Sequence, residues 1–169
     1  MKTGFKSGFI SIIGRPNVGK STLMNSIVGE KVAITTDKPQ TTRNTIRGIY
    51  TKHMDGKPES QMVFIDTPGI HRPKNRLGSY MTNAALNTLR EVDIILFLVD
   101  DLPRESGGDA YITEILSEVE TPKILVINKI DLLSPSDFEA TYKHYESAGI
   151  FQRIIGTQAD IGKNVDKLI

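Results

Sequence analysis

The stretch Gly14-Arg15-Pro16-Asn17-Val18-Gly19-Lys20-Ser21 constrains this chain more than any other. It has the spacing G-x-x-x-x-G-K-[ST], follows the apolar stretch Phe9 to Ile13, broken only by Ser11, and opens a segment of helical periodicity. Glycines in such a loop let backbone N–H groups curl round phosphates, the lysine reaches the outer phosphates, and the serine hydroxyl is placed to ligate magnesium. The four fixed positions would match by accident in about one chain in a hundred of this length. A plain glycine turn would also require the strand before and the helix after to be coincidence. Asn17, Val18, Gly19, Lys20, Ser21 and Thr22 are therefore the expected phosphate-side residues.

The rest of the chain supports that loop with an alternation of short apolar strands and longer amphipathic segments. Strands are expected near 9–14, 45–51, 60–66, 93–100, 123–128 and 151–156, in a mostly parallel sheet with helices on both faces. The second and third flank Asp55-Gly56, a turn signal, and should form an antiparallel hairpin at the sheet edge. One helix is expected over 19–28, with Leu23, Met24, Ile27 and Val28 on one face and Gly29 as its stop. A second carries Ile112, Ile115, Leu116 and Val119 behind a cap at Asp109. A third has Ser134 as cap and Pro135 at its first position, and ends before Gly149. The final NVDKLI starts an amphipathic helix and stops after less than two turns, so it must lean on packing, and the chain reads as part of something longer.

At 169 residues the chain suits one domain. A domain near that size buries roughly 70% of the surface its unfolded chain exposes, so it needs no covalent staples. It has no cysteine, which removes disulfides and thiolate metal sites. Lys and Arg total 21 against 20 Asp and Glu, which excludes a broad field that would attract nucleic acid or anionic lipid. The apolar start is too short for a secretory core. The longest apolar run, Ile94 to Val99, is far below the roughly 20 residues needed to span a bilayer.

Two further motifs name the nucleotide. Asp66-Thr67-Pro68-Gly69 closes the edge hairpin. There Asp66 would support the magnesium held by Ser21, and the Gly69 N–H would meet a terminal phosphate. Alone, D-x-x-G is an ordinary turn; its place after a strand gives it weight. Asn128-Lys129-Ile130-Asp131 follows the strand KILVI, at the carboxyl end of the sheet where nucleotide sites lie. Asp131 can accept from both the ring N–H and the exocyclic amine of guanine, a pairing that can reject an unmatched base by about 10⁴-fold. A capping Asp explains N-K-x-D alone, but not all three motifs in order. The expectation is an α/β P-loop NTPase fold, a Ras-like GTPase domain with a six-stranded mixed sheet, binding GTP or GDP.

The motif order resembles that of the translation-factor-related GTPases. Within them KVAITTDKPQTTRNTIRGIY and DTPGIHRPKNRLGSYM are similar to the Era family rather than to its sisters Der and MnmE. The resemblance implies that Thr42, with Thr41 as the alternative, joins Ser21 on magnesium, and that the Ala159 N–H meets the guanine carbonyl oxygen. Here Gln158 stands where the family has serine, a departure that bears on loop geometry. It further implies a cytoplasmic, monomeric switch, with the inner membrane face as a second location. A C-terminal KH domain absent from this chain would carry it to small-subunit ribosomal RNA and the 30S subunit, in 16S maturation. A signalling switch acting on a protein or membrane partner is the rival.

Ile70 follows the D-x-x-G motif where many switches keep a glutamine to hold the attacking water. It can hold nothing, so slow intrinsic turnover is expected. Water would be placed by backbone groups, with Lys20, Thr42, Gly69 and Asn17 carrying the chemistry. The resemblance adds that relatives with an asparagine at Asn17 can use potassium to neutralise charge. His71 reads as a solvated loop histidine rather than a base. Arg72, Lys74 and Arg76 read as a basic loop. The loops around 31–44 and 67–78 are the expected switches.

Overall fold

The computed structural model describes residues 4–29, 46–65, 67, 70, 76–102 and 107–169. Six strands, β1 (Lys6–Gly14), β2 (Ile46–Met54), β3 (Lys57–Ile65), β4 (Ile94–Val99), β5 (Lys123–Ile127) and β6 (Arg153–Gly156), form one sheet in the order β2-β3-β1-β4-β5-β6. All neighbours are parallel except β2 and β3, which form the expected edge hairpin. Its turn has positive φ at both Asp55 (52°) and Gly56 (74°). That geometry matches the twist of the flanking strands.

Alternation along the strands divides the core. On β4, Ile95, Phe97 and Val99 join one cluster with Leu125, Ile127, Leu89, Ile112, Leu116 and Tyr145. Leu96 and Leu98 join the other with Val126, Val18, Leu23 and Ile27. A strand's side chains alternate between faces, so apolar residues at every position of β4 require cover on both sides. Helix α1 (Lys20–Val28) covers one face, while α2 (Arg76–Glu91), α3 (Gly108–Ser117) and α4 (Pro135–Ser147) supply the other.

α4 starts as its sequence indicates: the Ser134 hydroxyl accepts the Asp137 N–H at 3.1 Å, with Pro135 in the first turn. α3 does not. Its N-cap is Gly107, and Asp109 lies inside the first turn, 1% exposed, with its carboxylate turned to Arg15 instead of to the helix N–H groups. An ion pair with a distant arginine outcompetes the local cap. α2 is additional to the helices expected from sequence; Arg76 to Gly78, expected within a switch loop, form its first residues. The terminal segment is a 3-10 turn, Val165–Leu168, rather than an α-helix. It is held by packing, with Val165 buried and Leu168 and Ile169 against the α1 cluster.

Candidate functional site

The phosphate loop leaves β1 at Gly14 (φ 154°) and enters α1 after Gly19 (φ 104°). A Cβ on Gly14 would stand 2.5 Å from the Leu98 carbonyl oxygen, and one on Gly19 would stand 2.3 Å from Asn128 Nδ2. Both glycines are thus demanded by close approach as well as by conformation. Asn17 is also left-handed (φ 67°), a region asparagine tolerates better than most residues. Lys20 Nζ donates to the carbonyls of Gly14 (2.9 Å) and Arg15 (2.7 Å). Burial lowers the Lys20 pKa, with the charge of Asp109 opposing. The two carbonyls hold the ammonium against the backbone of the loop itself. Val18 has its side chain fully buried in the core.

The base loop meets the phosphate loop through Asn128. This side chain is 2% exposed. Its Nδ2 donates to the Val18 carbonyl at 2.9 Å, and its Oδ1 accepts from Thr157 Oγ1 (3.0 Å) and from the Ala159 N–H (3.1 Å). Three loops are pinned by one amide. Lys129 (φ 58°) sends its ammonium across to the Asn17 carbonyl at 2.6 Å. The result is a cavity of about 200 Å³ lined by Gly19, Thr22, Asn128, Lys129, Asp131, Leu132, Ala159 and Asp160. Asp131 stands exposed at its edge, in a 3-10 turn spanning Ile130–Leu132. Gln158 bridges to Lys163 through both backbone groups, at 3.2 and 3.0 Å, and this short hairpin presents Ala159 to the cavity.

On the other side of Lys20 a second cavity, about 250 Å³, is lined by Ser21, Thr67, Ile12, Met24, Arg47, Phe64 and Ile65. Ser21 is exposed there. The hydroxyls of Ser11 and Thr67 are hydrogen-bonded to each other, fastening the start of the D-T-P-G loop to β1. Ile70 is 8% exposed and belongs to the core cluster with Ile13, Ile65, Leu89 and Val99. A side chain so placed anchors its loop to the sheet. Thr41, Thr42, Asp66, Gly69, His71, Arg72 and Lys74 lie outside the described residues.

The structure thus brings together Asn17, Val18, Gly19, Lys20, Ser21 and Thr22 with Asn128, Lys129, Asp131 and Ala159. Sequence reasoning missed Thr157, which holds Asn128, and Asp100, whose Oδ2 accepts from Lys129 Nζ at 3.0 Å. Asp100 stood at the end of an expected strand, a common place for site carboxylates, and that signal was available.

A phosphate loop and a base loop of this kind at the carboxyl end of a mixed sheet define a P-loop GTPase domain. A sequence model described as 50S ribosome-binding GTPase matches residues 9–129, and the chain belongs to that family. Its resemblance to Era is strong. A GTPase Era from Clostridioides difficile is 56% identical over 167 residues, spanning 98% of this chain and 54% of the relative. The crystal structure of an Aquifex aeolicus Era variant bound to GDP and aluminium fluoride superposes with TM-score 0.70 at 36% identity, covering 96% of this chain and 55% of that one. Era in complex with MgGDPNP and nucleotides 1506–1542 of 16S ribosomal RNA superposes with TM-score 0.71, also at 36% identity, covering 98% and 55%. The chain spans about half the length of these relatives.

Proposed function

We propose that this chain binds GTP and magnesium and hydrolyses GTP slowly, as the switch domain of a GTPase acting on the small ribosomal subunit. The observation that carries the nucleotide half is the Asn128 junction, which holds the phosphate loop and a cavity with room for a purine in fixed relation. Magnesium fits the donors: the Ser21 hydroxyl at a helix N-terminus is a hard oxygen ligand of the kind that completes its shell with substrate phosphates and water. Bound there it would offset charge on the phosphates. Lys20 supplies a second positive charge from within the loop, and the N–H groups of the first turn of α1 add theirs. Thr42, Asp66 and Gly69 are proposed to complete this side. Phosphate release measured with GTP and ATP in parallel tests the reading, and equal turnover of both would overturn it.

The second proposal concerns how charge is neutralised. If Asn17 helps hold potassium against the phosphates, turnover is expected to be severalfold faster in potassium chloride than in sodium chloride at equal ionic strength, with GTP affinity little changed. Negative charge on the leaving oxygens develops mainly in the transition state, so a cation there lowers the barrier more than it aids binding. Since Asn17 has positive φ, Asn17→Gly removes the side chain without straining the loop and should abolish the difference. Equal rates in both salts for the unaltered chain would end the idea.

For the partner, support comes from the relative whose structure contains 16S ribosomal RNA. We infer that RNA recognition resides in a KH domain belonging to the other half of such proteins, with the switch working as a monomer in the cytoplasm or at the inner membrane face. With net charge +1, this chain alone should bind ribosomal RNA weakly and without sequence preference. Filter binding across a salt series checks it: tight binding by this chain that survives moderate salt would contradict the assignment, because purely electrostatic contacts weaken steeply with salt.

A further inference from the structure

Arg15 sits in the phosphate loop, yet its guanidinium is engaged by two carboxylates of the scaffold. Nε donates to Asp109 Oδ2 at 2.6 Å and Nη2 to Asp100 Oδ1 at 2.9 Å. The other oxygen of Asp100 takes the Lys129 ammonium at 3.0 Å, and that ammonium donates to the Asn17 carbonyl at 2.6 Å. A circuit therefore leaves the phosphate loop at Arg15, passes through the end of β4 and the base loop, and returns to the same loop at Asn17. A side branch runs to the first turn of α3.

Each part of the circuit is built for this role. The Arg15 stem lies against Gly108, where a Cβ would stand 3.1 Å from Cγ and 3.3 Å from Cδ. Asp109 is buried, and its Oδ1 has no hydrogen-bond partner among the described residues. The carboxylate thus depends on Arg15, since a buried charge that loses its partner is costly. Burial raises the Asp109 pKa while the hydrogen bond and charge of Arg15 pull it down; Arg15 itself is raised, its carboxylate partners outweighing the effect of its burial. A planar fork can serve two carboxylates at once in fixed directions, whereas a lysine ammonium is a single point on a flexible stem.

We propose that Arg15 is a positioning residue that sets how long bound guanine nucleotide is retained, by orienting Asp100 and through it the lysine of the base loop. This rests on the guanine-nucleotide reading of the site. The Arg15 guanidinium is committed to Asp109 and Asp100. Its action is to keep Lys129 aligned, so that base loop and phosphate loop open together or not at all, and it gives α3 a mechanical connection to the site.

The test is dissociation of a fluorescently labelled GDP, chased with excess GDP, from the unaltered chain, Arg15→Ala, Arg15→Lys, Lys129→Ala and the double variant Arg15→Ala/Lys129→Ala. Arg15→Ala should release GDP about tenfold faster, a typical size for coupling within one polar network. Arg15→Lys should also be faster than the unaltered chain, since charge without the fork cannot hold both carboxylates. The double variant should release GDP no faster than Lys129→Ala alone, because both residues act through one circuit. A general loss of structure would instead multiply the two effects, and that result overturns the proposal, as does release at the unaltered rate from Arg15→Ala. If Arg15→Ala fails to fold by circular dichroism, Arg15→Lys alone and combined with Lys129→Ala carries the same comparison. Failure of the unaltered chain to retain labelled GDP at all would overturn the guanine reading, and this inference with it.

Discussion

Replacing Asp131 by asparagine is expected to weaken GTP binding by about 10² to 10⁴-fold and to create affinity for xanthosine triphosphate. Asp131 stands exposed at the rim of the base cavity, on a 3-10 turn held by Leu132 N–H to Lys129 carbonyl at 2.9 Å. Its carboxylate can accept two hydrogen bonds from guanine, and bonds to a charged group are worth about 1.5 to 3 kcal/mol each. Asparagine keeps the shape but presents one acceptor and one donor. Xanthine, with a carbonyl in place of guanine's amine, matches that pair. Competition between labelled GTP and xanthosine triphosphate reads the outcome directly, and an unchanged preference would place the base elsewhere.

Gly19→Ala should be nearly as damaging, for a different reason. The new methyl would stand 2.3 Å from Asn128 Nδ2, on a backbone with φ of 104°. The amide would have to leave the Val18 carbonyl, and a buried polar group that loses its partner costs about 1 to 3 kcal/mol. The left-handed backbone adds about 1 kcal/mol. GDP affinity is expected to fall by about two orders of magnitude, together with the melting temperature. Gly29→Ala makes the control: φ is 73°, but nothing among the described residues lies within 4 Å of its Cβ position. It should show the backbone cost and leave GDP affinity unchanged. Equal losses of affinity in the two variants would mean that contact with Asn128 is unimportant.

What could be read from the chain beforehand was what neighbouring residues decide among themselves. The phosphate loop, the Asp55-Gly56 hairpin and the Ser134-Pro135 helix start are each specified within a few residues, and each is observed. The buried residues of α2 include Thr82, Ala85, Thr88 and Leu89, spaced three or four apart, a helical periodicity that the sequence carries but the expected elements omit. Asp109 reads as a cap in sequence because its partner, Arg15, is 94 residues away in the chain. Ile70 illustrates the same limit. Its side chain rules out a role in holding water, but only the fold reveals that it is buried in the core. The sequence suggests Asn128 and Ala159 as base contacts, whereas the tie from Asn128 to Val18 and Thr157 belongs to tertiary structure.

The two margins of the sheet have a consequence for how this molecule behaves in concentrated solution. A chain whose opposite charges nearly cancel has little long-range repulsion to keep copies apart, so an open strand edge would invite stacking of one sheet onto the next. Neither margin is an even template. β2 has register irregularities between Ile46 and Gly48 and between Lys52 and His53, and it carries Arg47 and Lys52. β6, at the opposite margin, is only four residues long and begins with Arg153. Broken spacing along one border and brevity along the other deprive an incoming strand of the continuous ladder that fibrous growth requires.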